Sequence, residues 1–174
     1  MALILEQQNI IMEDKSKGLS YGEVLELLDN CKNLDEEVEI YKKLVELCEK
    51  EIAELEDDDD ENLLELQTGE RVCCVPDFLD NYAAPMDNLA QIYVKRKEYA
   101  KALPLLEQVL PIYRTLEITN PDYTYQRVYA TELIVDCLKE LGKKDLAILY
   151  GYELKHLKQN LLEERESYKS SMPD

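Results

Sequence analysis

His156 is the one histidine in these 174 residues, and histidine is the side chain whose ordinary pKa lies nearest neutrality. It stands beside Lys155 with no evident nucleophile to activate, and it reads as a solvated or half-buried helix residue. Five cysteines, at 31, 48, 73, 74 and 137, offer sulfur chemistry. The adjacent pair Cys73-Cys74 is poorly placed for an unstrained disulfide and has no neighbouring histidine or helix N-terminus to lower its pKa, so inert thiols are expected. No Cys-x-x-Cys spacing supports a structural zinc site. The run from Asp57 to Glu61 lacks the alternating oxygen ligands and central glycine of a calcium loop. It reads as solvated surface or as a docking site for a basic partner. Glycines at 18, 22, 69, 142 and 151 stand alone, and no phosphate-cradling loop can be assembled from them. Carboxylates are plentiful, but an acid/base pair needs one member desolvated, and no segment marks such a pocket. The expectation is a protein that is not an enzyme, with no catalytic residues, metal or cofactor.

The charge is uneven. Residues 1–84 carry 24 acids and 7 bases, whereas residues 85–174 carry 14 and 13, within a formal net charge of −18. Binding to nucleic acid needs a basic stripe, and beyond Lys95-Arg96-Lys97 there is none, which argues against that partner. No stretch approaches the roughly 20 apolar residues of a membrane span. Met1 to Leu5 is followed at once by Glu6, unlike a secretory leader. With an odd number of cysteines not set close together, a reducing compartment is expected, cytoplasmic with nuclear as the alternative.

Elements that would position these residues are helical. Leu and Glu dominate, and six prolines and five glycines are few. Residues 2–14 read as a weakly specified helix. Ser20 with Glu23 forms a capping box for a second, running to about Cys31. Asn33 can cap a third, whose Val38, Tyr41, Val45, Cys48, Ile52 and Leu55 make a continuous stripe up to the acidic run. Residues 57–76 read as an acidic connector containing Leu63, Leu64 and Leu66. Four helices follow, marked by Met86, Leu89, Ala90 and Tyr93; by Tyr99, Ala102, Leu103, Leu106, Leu110 and Tyr113; by Ala130, Ile134, Cys137, Leu138 and Leu141; and by Leu146, Ala147, Tyr150, Leu154, Leu157 and Leu161. Asn120-Pro121-Asp122 and Gly142 punctuate them, and fraying is expected over 167–174.

Ala102 and Ala147 stand at equivalent places 45 residues apart, where a crossing helix needs a small side chain. Leu89-Ala90, Tyr93, Tyr99 and Ala102 resemble the tetratricopeptide repeat. The segment Glu98 to Tyr113, with Ala102-Leu103-Pro104-Leu105 in its second helix, Asn88-Leu89-Ala90 before it and Pro121-Asp122 after it, resembles the repeats of kinesin light chain. The resemblance covers residues 84–160; the second repeat departs from it at Leu133, Lys144 and Gly151. It implies an all-α, antiparallel helix-hairpin solenoid over residues 77–166 with two clear repeats. Residues 1–56 would supply packing helices and, at 20–48, a degenerate third repeat with Val38 in the small-residue position. About three such units are normally needed for independent stability, so those helices, or another chain in a homodimer or larger complex, must be the missing neighbour.

The resemblance implies a partner face along the first helix of each repeat: Asp87, Asn88, Gln91 and Lys95, then Tyr129, Glu132, Asp136 and Lys139. Asn88 would grip a peptide backbone through its amide. The function expected is a non-enzymatic interaction module, an adaptor or assembly subunit docking a peptide or helix of another protein. The alternative is an acidic chaperone for a basic client such as histones.

Overall fold

A computed structural model describes residues 18–56, 63–65, 71–73 and 76–171 and divides the chain into two compact units, residues 1–92 and 93–174. In the first, Ser20 caps α1 (Tyr21–Leu25) as its sequence requires: the Ser20 hydroxyl accepts from the Glu23 amide at 3.4 Å, and the Ser20 amide donates to the Glu23 carboxylate at 2.8 Å. The chain tightens into a 3-10 turn over Glu26–Asn30. Asn33 then accepts from the amides of Asp35 and Glu36, both at 3.0 Å, and opens α2 (Leu34–Glu56). Val24, Ile40 and Leu44 form a core shared by α1 and α2, with Leu27, Leu28 and Tyr41 packed against it.

α3 (Pro76–Lys95) carries Pro85 inside it. Proline has no N–H, so the carbonyl four residues earlier, that of Asn81, loses its helical donor. Two side chains from the preceding helices supply one instead. The Tyr21 hydroxyl donates to the Asn81 oxygen at 2.8 Å, and the Cys48 thiol approaches it at 3.6 Å. A helix defect becomes the point where α1, α2 and α3 are tied together.

Residues 63–65 and 71–73, within the stretch read as a connector, form a two-stranded antiparallel ribbon, β1 (Leu63–Glu65) with β2 (Arg71–Cys73), in register Leu64 opposite Val72. The helix read at 2–14 and the acidic run 57–61 lie outside the described residues.

In the second unit α4 (Tyr99–Thr119) packs on α5 (Tyr123–Glu140), and α5 on α6 (Lys144–Ser171). Ala102, Leu106, Val109, Ile112, Ala130, Ile134, Cys137 and Leu138 are fully buried among them. Leu141 and Leu146, read as stripe residues, are instead exposed, because each sits at a helix end where the neighbour no longer covers it. α6 extends to Ser171, past the Ser167 at which fraying is expected. Among the described residues the fold is all-α apart from the ribbon, with sequential helices paired across short turns, as a tetratricopeptide-like solenoid requires.

The two turns are built alike. Before α4, the amide of Glu98 donates to Tyr93 and that of Lys97 to Val94; before α6, Lys143 donates to Leu138 and Gly142 to Lys139. Each acceptor and donor recurs after 45 residues, the step from Ala102 to Ala147. The left-handed residue this closure needs is Gly142 at φ 73° in one turn and Lys97 at φ 60° in the other.

Candidate interaction surface

α5 is two-faced. Ala130, Ile134, Cys137 and Leu138 face inward, and the opposite side carries Tyr129, Glu132, Asp136 and Lys139, which the three- and four-residue spacing places on one strip. Tyr129 is 43% exposed, and Tyr125, one turn earlier on the same strip, is 55% exposed. Tyr125 is absent from the sequence-derived set, although its spacing to Tyr129 is a readable signal. Lys139 lies 3.6 Å from Asp136, both well exposed, an ion pair worth little in water. Glu132 is engaged differently: it pairs with Lys158 of α6, so it braces the two helices as well as bordering the strip.

On α3, Asn88 and Gln91 are half-buried and Lys95 is exposed, and they share one side of the helix. Asp87 does not join them. Adjacent helix residues are turned by about 100°, and that turn carries Asp87 off the strip into the interior, where it is 7% exposed. It is corrected from a partner-facing residue to a buried one.

Behind the α5 strip lies a polar cluster that no spacing in the sequence announces. Arg127 bonds Glu117 of α4 at 2.6 Å and Glu153 of α6 at 3.1 Å; Arg114 bonds the same Glu153 at 2.7 Å; Thr124 donates to Glu117 at 2.7 Å. Burial pushes the Glu153 carboxyl up, but the hydrogen bonds from Arg114 and Arg127 outweigh it and hold the group below its ordinary range. The acids and bases match one to one. The cluster is a brace: both carboxylates are held by arginine, and the one buried atom in it without a hydrogen bond, Arg127 Nε, belongs to a guanidinium that stays charged and does no acid/base work.

Burial pushes the Cys48 thiol up to about 12 and that of Cys137 up to about 11, so both stay protonated and unreactive at neutral pH. Cys31, Cys48 and Cys137 are free thiols. His156 is exposed. Among the described residues no cluster of three His, Cys, Asp or Glu side chains gathers to hold a metal ion, and no helix is long and apolar enough to cross a membrane.

The family model of the tetratricopeptide repeat matches residues 83–117, the stretch from the middle of α3 to near the end of α4. No curated protein and no solved structure matches the chain.

Proposed function

From the tetratricopeptide repeat at 83–117, a kind of repeat that generally binds other proteins, we propose that this chain is a non-enzymatic interaction module. It holds a peptide or helix of another protein on the outward strip of α5. The observation that carries this reading is the pair Tyr125 and Tyr129, two large aromatic side chains left in solvent on a helix whose packing is complete without them. Tyrosine supplies contact area at low entropic cost and is enriched among the residues on which binding energy concentrates. Glu132, Asp136 and Lys139 give the strip polar contacts at its far end. Asn88, Gln91 and Lys95 offer polar contacts of the same kind on α3.

The finer reading is an adaptor or assembly subunit, and the likeness of residues 98–113 to kinesin light chain repeats favours motor or cargo traffic within it. The free thiols Cys31, Cys48 and Cys137 suit the cytoplasm. The acidic-chaperone reading draws only on the charge of residues 1–84.

The test is affinity capture with mass spectrometry on the full chain and on Tyr125→Ala/Tyr129→Ala. Exposed substitutions usually shift stability by less than ~0.5 kcal/mol, so the variant should melt like the parent while losing the partner. A control at Glu26→Ala/Asp29→Ala, exposed in the 3-10 turn, should keep it. Capture unchanged by the tyrosine pair but lost at the control would move the site off α5. Lys158 is unsuitable as a control, because it is tied to Glu132.

A further inference from the structure

α6 buries one side against α5 through Ala147 and Leu157, with Tyr150, Leu154 and Leu161 half-buried beside them. Its other side should be polar, as on any helix face turned to water. It is not. Ile148 is 58% exposed, Tyr152 65% and Leu162 59%. Along this ridge runs a shallow groove of ≈ 440 Å³ lined by Gly151, Leu154, Lys155, Lys158, Gln159 and Leu162.

Gly151 lines that groove, and no packing among the described residues requires a glycine there. Glycine within a helix costs about 0.5–1 kcal/mol relative to alanine. A Cβ at this position would meet nothing within 4 Å, and the backbone there is ordinary helix. The missing side chain makes room on the outside, where a second helix can come close.

The residues around it also say which helix fits. Taking Lys155 as the centre, Ile148 and Leu162 stand seven residues to either side, Gly151 and Gln159 four, Lys144 and Glu166 eleven. Laid antiparallel on a second copy of itself, α6 therefore sets Ile148 against Leu162, Gln159 into the notch at Gly151, and the Lys144 ammonium against the Glu166 carboxylate at both ends. The ridge of Ile148 and Tyr152 falls into the partner's groove. The cost lies at the centre, where the two Lys155 side chains meet; each can extend towards the partner's Tyr152 ring, which attracts a cation. Residues 85–174 are nearly neutral, so two copies approach on this side without the repulsion that the acidic residues 1–84 would impose.

We propose that the outward face of α6 is a homodimer surface, on which two copies of this chain pair antiparallel about Lys155. A single helix pair is a small interface, and the dimer should dissociate in the range of about 1–100 µM.

Sedimentation of the full chain under reducing conditions, over a concentration series spanning that range, should show a reversible monomer–dimer equilibrium. Ile148→Glu/Leu162→Glu should give a monomer throughout with unchanged helicity, since both side chains are exposed. Gly151→Ala should raise the melting temperature of the dilute monomer while weakening the dimer by about tenfold. Lys144→Glu should weaken it about fivefold, and adding Glu166→Lys in the same chain should restore it, because each end again carries opposite charges. A wild-type chain that remains monomeric, or a dimer that survives Ile148→Glu/Leu162→Glu, overturns the proposal. A dimer weakened by Lys144→Glu and weakened further by Glu166→Lys overturns the antiparallel register. None of these readouts depends on the partner strip of α5.

Discussion

At the scale of single residues, the chain settles its polar debts with unusual donors. The Asn81 carbonyl, stripped of its helical N–H by Pro85, is answered by the Tyr21 hydroxyl at 2.8 Å. Burial pushes the Tyr21 phenol up to about 12, so it remains a donor at and around neutral pH. Tyr21→Phe should cost ~1 kcal/mol in urea unfolding, since it removes one neutral hydrogen bond and leaves a carbonyl to the weaker thiol. The loss should be the same at pH 6 and pH 8, as neither donor titrates there. A change below the error of the measurement would mean that water satisfies the carbonyl equally well.

Among elements, the two turns make a natural experiment. Their backbone bonds coincide at a 45-residue step, but one places glycine and the other lysine in the left-handed position. A β-carbon in that conformation costs roughly 1–2 kcal/mol, offset in part by the greater freedom glycine has when unfolded. Lys97→Gly should therefore stabilise the chain by ~0.5–1 kcal/mol, and Gly142→Ala should destabilise it by a similar amount, both read from thermal or urea unfolding. The stretch that the tetratricopeptide model matches has the poorer turn residue, Lys97. Local signals of this sort are legible in the sequence, and tertiary ones are not. Capping at Ser20 and Asn33, the apolar stripes and the small residues at Ala102 and Ala147 are local signals, and they locate the helices. Ends covered or uncovered by neighbours, as at Leu141 and Leu146, depend on where another helix stops. Asp87 went astray for a related reason: a strip on a mostly buried helix is narrower than one on a surface helix, and a single residue's turn leaves it. The ribbon at 63–65 and 71–73 escaped because short pairing between residues of mixed polarity has no period long enough to show.

For the molecule as a whole, an acid-sensitive feature is the cluster joining α4, α5 and α6. The folded pKa of Glu153 is depressed, so its contribution is present above the ordinary carboxylate range and is lost as pH falls through the lowered value. Glu153→Gln should destabilise the chain by about 1–2 kcal/mol at neutral pH, a figure discounted because the cluster is partly exposed. The gap between variant and parent should close as the pH drops below that range. A gap that persists in acid would assign the loss to packing and not to charge. The same cluster bears on how fast the second unit assembles. Backbone packing there is mainly between helices adjacent in sequence, and the Arg114–Glu153 bond from α4 to α6 reaches across 39 residues, little more than one hairpin. Closing such short loops costs little entropy, so folding has no slow search for distant partners and should finish within milliseconds. On a ribosome, α4 and α5 can pair before α6 has emerged, so assembly of this unit can keep pace with synthesis.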